Sequence, residues 1–184
     1  ARSSHLEEAR VSAQLGDPAS VATAQTNLAA CDIAANDLPA ALAQYAAAEP
    51  VLREHQVLHV LLPLLNNRAQ VHEVQGNMPA AIADLLSGGA VAKEVGSHAQ
   101  AVQMLTHAVE LLYGTGRMPE AEPVWADLAD ACRTVGDDAG LQRAIGERAL
   151  ALIGRMDLDA AAPLLDEQEA ICRRIGDQVG LAAC

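Results

Sequence analysis

The chain repeats itself at intervals of 40 residues. Ala1, Ala41, Ala81, Ala121 and Ala161 fall in one column, and Gly16, Gly96, Gly136 and Gly176 in another, broken only by Gln56. The turn ahead of each Ala recurs as well, as Asn36-Asp37-Leu38-Pro39, Gly76-Asn77-Met78-Pro79 and Gly116-Arg117-Met118-Pro119, with a more distant copy at Met156-Asp157-Leu158-Asp159. A fixed period of this length marks a solenoid, in which each unit buries its apolar face only against its neighbours. Such arrays usually offer a long surface to a partner, so the period points to binding.

Each period reads as two helices. In the first repeat, helix A is expected over 18–35 and helix B over 38–55. Pro39, Pro79 and Pro119 fall in the first turn of helix B, where the missing N–H has no intrahelical partner to lose. The Gly column follows helix B, where a left-handed C-cap favours glycine. Asp17, Ser97, Asp137 and Asp177 come next and are expected to cap the following helix A. Arg53, Lys93, Arg133 and Arg173 share a column in the last turn of helix B, where cations complement the helix dipole; a basic ligand-binding stripe is the sharper alternative. His5, Tyr45, Leu85, Trp125 and Leu165 stand four residues after the Ala column and read as large core residues beside a small one. Pro50, Pro123 and Pro163 fall inside helix B and predict kinks or a late helix start. The frame divides the chain into a half repeat (1–16, helix B only), repeats 17–56, 57–96, 97–136 and 137–176, and the start of a fifth at 177–184. Beginning and ending off a repeat boundary, it reads as a piece of a longer array, with open apolar ends through which copies are expected to be able to associate.

Composition narrows the partners. Hydrophobic residues make up 51% of the chain, yet Phe is absent and aromatics are 2%, so the core must be built from Ala, Leu, Val and Ile. Twenty-four acidic against twelve basic residues give a net charge of −12 with no Lys/Arg cluster, which argues against direct nucleic-acid binding and against an anionic membrane. The longest apolar stretch, Val57 to Leu65, carries His59 and Pro63 and is far short of a membrane span. Cys31, Cys132, Cys172 and Cys184 form no CxxC pair; they read as reduced thiols of a cytoplasmic protein. His55 and His59 have the spacing of a zinc pair but straddle a turn, and packed histidines are the better reading. No nucleophile–base arrangement or phosphate loop is present: Ser87-Gly88-Gly89 lies within helix B rather than after a strand. No enzyme, cofactor or metal site is expected.

Paired helices, small residues in fixed columns and Gly-Asp turns together resemble a tetratricopeptide repeat (TPR) array, over essentially the whole chain. The family's small residues would be Ala29, Ala69, Val109 and Ala149 in helix A, and Ala41, Ala81, Ala121 and Ala161 in helix B. The period exceeds the family's usual length, so the longer-helix variety is implied, as in kinesin light chains and bacterial regulators. A HEAT-type array also has a period near 40; the Gly-Asp turns and Ala columns favour TPR. The resemblance implies an all-α, right-handed α-solenoid of antiparallel helix pairs that binds a protein or an extended peptide along a groove lined by the A helices. The alternative it implies is a regulatory segment of a larger bacterial transcription factor or nucleotide-driven switch.

Carried over column by column, the inward positions are Thr26-Asn27, Asn66-Asn67, Thr106-His107 and Gly146-Glu147, followed one turn later by Ala30, Gln70, Glu110 and Leu150. Asn27, Asn66, Asn67, Gln70, Gln103, His107 and Glu110 are the candidate contacts. Long-repeat relatives use an Asn here to hold a peptide backbone. Its amide offers the donor and acceptor that a peptide bond needs. Asn27 and Asn67 match that position, whereas His107 and Glu147 depart from it. The alternative is that these Asn cap or cross-link neighbouring helices. Chaperone-binding relatives hold acidic C-terminal tails with groove Lys and Arg; Thr26, Asn66 and Thr106 stand there instead.

Overall fold

The computed structural model of the chain describes residues 2–183, so Ala1 and Cys184 lie outside the described residues. The chain is all-α. Among the described residues there are ten α-helices: α1 (Arg2–Gln14), α2 (Pro18–Ala34), α3 (Leu38–Glu54), α4 (Leu58–Val74), α5 (Met78–Glu94), α6 (His98–Gly114), α7 (Ala121–Val135), α8 (Asp138–Gly154), α9 (Leu158–Ile175) and α10 (Gln178–Ala183). A 3₁₀ turn, Met118–Glu120, precedes α7. Even-numbered helices from α2 to α8 are the A helices expected from sequence, and α3, α5, α7 and α9 the B helices.

The backbone repeats at half the interval of the side-chain chemistry. Residues 16, 36, 56, 76, 96, 116, 136, 156 and 176 all have positive φ. Six are glycines; Asn36 (φ 59°), Gln56 (φ 54°) and Met156 (φ 62°) take the same conformation with a side chain. At each turn the next residue's N–H bonds the carbonyl five residues back, from Asp17 to Ser12 at 3.0 Å through Asn77 to His72 at 2.8 Å to Asp177 to Cys172 at 2.9 Å. These are Schellman closures, which satisfy a carbonyl that the helix end would otherwise orphan. Every junction, A to B and B to A alike, is therefore made in one way.

Caps follow the turns. The carboxylates of Asp17, Asp37, Asp137, Asp157 and Asp177 accept the N–H of Ser20, Ala40, Gly140, Ala160 and Gly180 respectively. Asn77 does the same for Ala80 at 3.4 Å. Ser97, expected to cap α6, makes no such bond, nor do Val57 and Arg117. Arg117 turns its guanidinium to Glu120 instead. The chain enters this helix through the 3₁₀ turn, and α7 starts late, two residues before Pro123. By contrast, α3 and α9 run unbroken through Pro50 and Pro163.

By contact, the chain forms two compact units, residues 1–91 and 92–184. In the first, Ala29, Ala41 and Ala69 are fully buried beside Tyr45, Leu52, Leu61, Leu64 and Leu65. In the second, Ala108, Ala121 and Ala149 are buried with Leu105, Val109, Leu112, Trp125 and Ile145. A methyl-sized residue lets helix axes approach closely, and the large residue a turn away fills the space beside the contact. Each fully buried Leu or Ile contributes about 1.5–3 kcal/mol, which lets a core without Phe suffice. Tyr45, Leu85 and Trp125 are core residues as expected, while His5 and Leu165 in the same column are only half-buried.

Candidate functional site

The A helices of the first unit frame a crevice of about 280 Å³ lined by Ala30, Ile33, Leu38, Asn67, Gln70, Val71 and Val74. In the second unit an open hollow of about 360 Å³ is lined by Tyr113, Met118, Pro119, Glu122, Glu147, Leu150, Ala151 and Arg155. These are one feature of the repeat met twice: 33, 38, 67, 70 and 71 become 113, 118, 147, 150 and 151 on adding 80. The walls come from equivalent columns, but the chemistry differs. Asn67 and Gln70 present amides among aliphatic side chains. Glu147 and Leu150 stand at the same positions beside an aromatic ring.

Asn67, Gln70 and Ala30 line this one crevice. Asn27 and Asn66 are half-buried on the same helices but do not line it. Asn67 also faces inward. It lies beside the buried Tyr45 hydroxyl, whose pKa burial raises while Asn67 and Arg68 pull it back. The hydroxyl finds no partner in hydrogen-bonding geometry. Behind Asn67, Arg68 is clamped by two carboxylates: its Nε and Nη2 donate to Asp84 at 2.8 and 2.6 Å, and its Nη1 lies 2.6 Å from Glu49. These side chains are only 14%, 9% and 22% exposed. The triad ties α4 to α3 and α5 and fixes the rotation of the helix that carries Asn67 and Gln70.

In the second unit, Glu110 lines a further hollow of about 270 Å³ with Val109, Tyr113, Trp125, Arg143 and Glu147. The Tyr113 hydroxyl donates to Glu147 Oε2 at 2.8 Å, across from α6 to α8. Tyr113 meets Trp125 edge-on, with centroids 6.3 Å apart and planes at 80°, and the Arg143 guanidinium stands 5.7 Å over the indole. His107 is half-buried and Gln103 exposed, and neither lines these hollows. Sequence reasoning missed Tyr113 and Arg143. Tyr113 shares its column with Ile33, a lining residue in the first unit, and that equivalence was the available signal.

The basic column at the B-helix ends forms an ordered ladder rather than a free stripe. Arg53 bonds Ser87 at 2.7 Å, Lys93 bonds Asp127 at 2.5 Å, and Arg133 bonds Glu167 at 3.0 Å, each pair 34 residues apart. His55 and His59, expected to be packed, are both exposed, because they sit on the outside of the α3–α4 turn. Among the described residues no group of three or more His, Cys, Asp or Glu could hold a metal ion, and no helix is long and apolar enough to cross a membrane. Cys31 and Cys132 are free thiols, and the Cys172 thiol lies 3.6 Å from Gln142 Oε1.

No family model and no curated protein sequence matches the chain. Solved structures do. BtubC (BKLC) from P. vanneervenii superposes with a TM-score of 0.52 at 14% identity, over 88% of this chain and 66% of its own. The chain therefore spans just under two thirds of that protein. The nearly identical TPR-like repeats of a kinesin light chain protein from Podosopora anserina superpose with a TM-score of 0.52 at 15% identity, over 94% of this chain and 95% of theirs. Identity at this level speaks for the fold alone. Paired helices, buried small-residue columns and these neighbours agree that the chain has the fold of the TPR-like helical-repeat proteins.

Proposed function

We propose that the chain is a protein- or peptide-binding scaffold, and that a partner lies in extended form along the faces of its A helices. The crevice that recurs between equivalent columns carries this reading: a repeated cleft suits a repeated ligand, and a polypeptide backbone is one. Asn67 and Gln70 are assigned to its peptide groups in the first unit, with Asn27 and Asn66 flanking. Glu110 contributes from the second unit, with Gln103 and His107 at its margin. In this reading residues 17–176 act as four repeats of one array. Unpaired thiols suit a cytoplasmic setting.

The test is selection of a random peptide library on the purified chain, beside Asn67→Ala and Gln70→Ala variants. Each lost amide contact should weaken enriched peptides by about fivefold, the equivalent of about 1 kcal/mol. Enrichment indifferent to both substitutions would remove the groove from the reading. It would favour instead a regulatory segment that works through other surfaces.

A further inference from the structure

The two hollows of the second unit share a wall. Tyr113 and Glu147 line both; Met118, Leu150 and Ala151 line the larger with them, and Glu110, Trp125 and Arg143 the smaller. Tyr113, Met118 and Leu150 are 41%, 55% and 59% exposed. Single exposed apolar side chains are ordinary on a protein surface, whereas three gathered around one opening mark a place where something binds.

Glu147 is the charge at this place that has no counter-charge. Its Oε2 accepts from the neutral Tyr113 hydroxyl at 2.8 Å, and no cation pairs with it among the described residues. The neighbouring charges are already engaged. Glu122 is paired with Arg148 at 2.9 Å, and the Arg143 guanidinium stands 5.7 Å over the Trp125 indole, with Glu110 lining the same hollow. The backbone adds to the negative potential. Tyr113 lies in the last turn of α6 and Ala151 in that of α8, and neither last turn holds a basic residue. A helix C-terminus carries about half a negative charge. Arg155, at the C-cap of α8, offsets one of these ends, but Arg117, beyond α6, is taken up by Glu120.

We propose that this place receives a lysine or arginine side chain of a bound polypeptide, its aliphatic stem against Tyr113, Met118 and Leu150 and its cationic head on Glu147. The assignment rests on the chain being a peptide-binding scaffold. Long basic side chains lay their methylenes on apolar surface and keep the charged head at a polar partner, and this hollow offers both parts. The Tyr113 hydroxyl holds the carboxylate by Oε2 and leaves Oε1 for the head, and an aromatic ring beside it favours a cation. An acidic side chain would meet an unpaired carboxylate and a helix C-terminus, so the same groups that attract one charge reject the other. In the first unit Asn67 and Ile33 stand at the columns of Glu147 and Tyr113, so the basic preference belongs to the second unit.

The experiment is selection of a random peptide library on the chain and, separately, on Glu147→Gln and Glu147→Lys. Peptides enriched by the parent should share Lys or Arg at one position, and changing that residue to norleucine should weaken binding about tenfold. Glu147→Gln keeps an acceptor for Tyr113 and removes only the charge. It should cost the basic peptides about the same factor and leave their norleucine counterparts unchanged. Glu147→Lys should select Asp or Glu at that position, a result that only a folded variant can give. Enriched peptides with no basic residue in common, or a basic residue whose loss costs as much on Glu147→Gln as on the parent, would overturn the assignment and leave the scaffold reading standing. No enrichment from any of the three selections would overturn both.

Discussion

Replacing Arg68 with methionine should destabilise the chain by about 3 kcal/mol at neutral pH, and most of that loss should disappear on acidification. Methionine matches the aliphatic stem of arginine, so packing changes little and charge is what is removed. Arg68 donates to Asp84 at 2.8 and 2.6 Å and lies 2.6 Å from Glu49. Without it two largely buried carboxylates face one another with no cation between them. Removing one member of a buried pair costs about 3–5 kcal/mol. The lower end applies here because Glu49 retains 22% of its surface and Arg53 at 2.8 Å. The pH dependence identifies the cause. Burial alone would raise the Glu49 pKa, but hydrogen bonds and charge from Arg68 and Arg53 outweigh it and hold it below its ordinary value. A depressed carboxylate contributes stability that is fully present above its unfolded pKa, about 4.3, and is lost as pH falls through the folded value. In Arg68→Met burial prevails, the shift reverses sign, and protonation relieves strain rather than causing it. Urea unfolding followed by circular dichroism at pH 7 and at about pH 4 measures both stabilities. A deficit under about 1 kcal/mol at pH 7, or one that does not shrink on acidification, would refute the argument. A triple apolar variant, Glu49→Leu/Arg68→Met/Asp84→Leu, should recover most of the stability.

Three further outcomes follow from the turns and the core. Met156→Gly and Gln56→Gly should each raise stability by about 1 kcal/mol, because φ of 62° and 54° disfavours a side chain and both positions are exposed; thermal unfolding reads this out. Val57→Asp should add about 1 kcal/mol by capping α4, which has no side-chain cap now, and the same scan checks it. Burial first, and then Asp137, push the Cys132 thiol up to about 11, above its ordinary value, so at pH 8 it is almost wholly protonated. Ellman's reagent should modify half-buried Cys31 well before Cys132, and Cys132 only as the chain unfolds; equal rates in the native state would contradict this.

How much of this molecule can be read from its residues depends on how far apart the interacting groups lie. The helix pairs and their caps were legible because a Schellman turn and an Asp cap act within six residues. The glycine column gave away half of the turns. The other half were legible as the recurring turn ahead of each Ala; what the two columns did not show is that both kinds of turn share one backbone, because Asn36, Gln56 and Met156 hold with a side chain the same positive φ as the glycines. Ser97 marks the opposite error, since the right residue in the capping position makes no bond there. The ladder shows where local reading stops. Arg53, Lys93 and Arg133 were visible as a column and had a sufficient local explanation in the helix dipole. Their partners at Ser87, Asp127 and Glu167 depend on the stagger between consecutive B helices, which no spacing within one helix encodes. The same holds for Arg68, whose column reads Leu28, Arg68, Ala108, Arg148: nothing in the column says that Arg68 is largely buried while Arg148 is 36% exposed. Asp84 and Glu49 become its partners through packing between three helices. A repeat makes such non-local contacts recoverable once a single one is known, because every copy must reuse the same stagger. That is why one offset of 34 residues, seen at Arg53 and Ser87, is enough to locate the rungs at Lys93 and Asp127 and at Arg133 and Glu167.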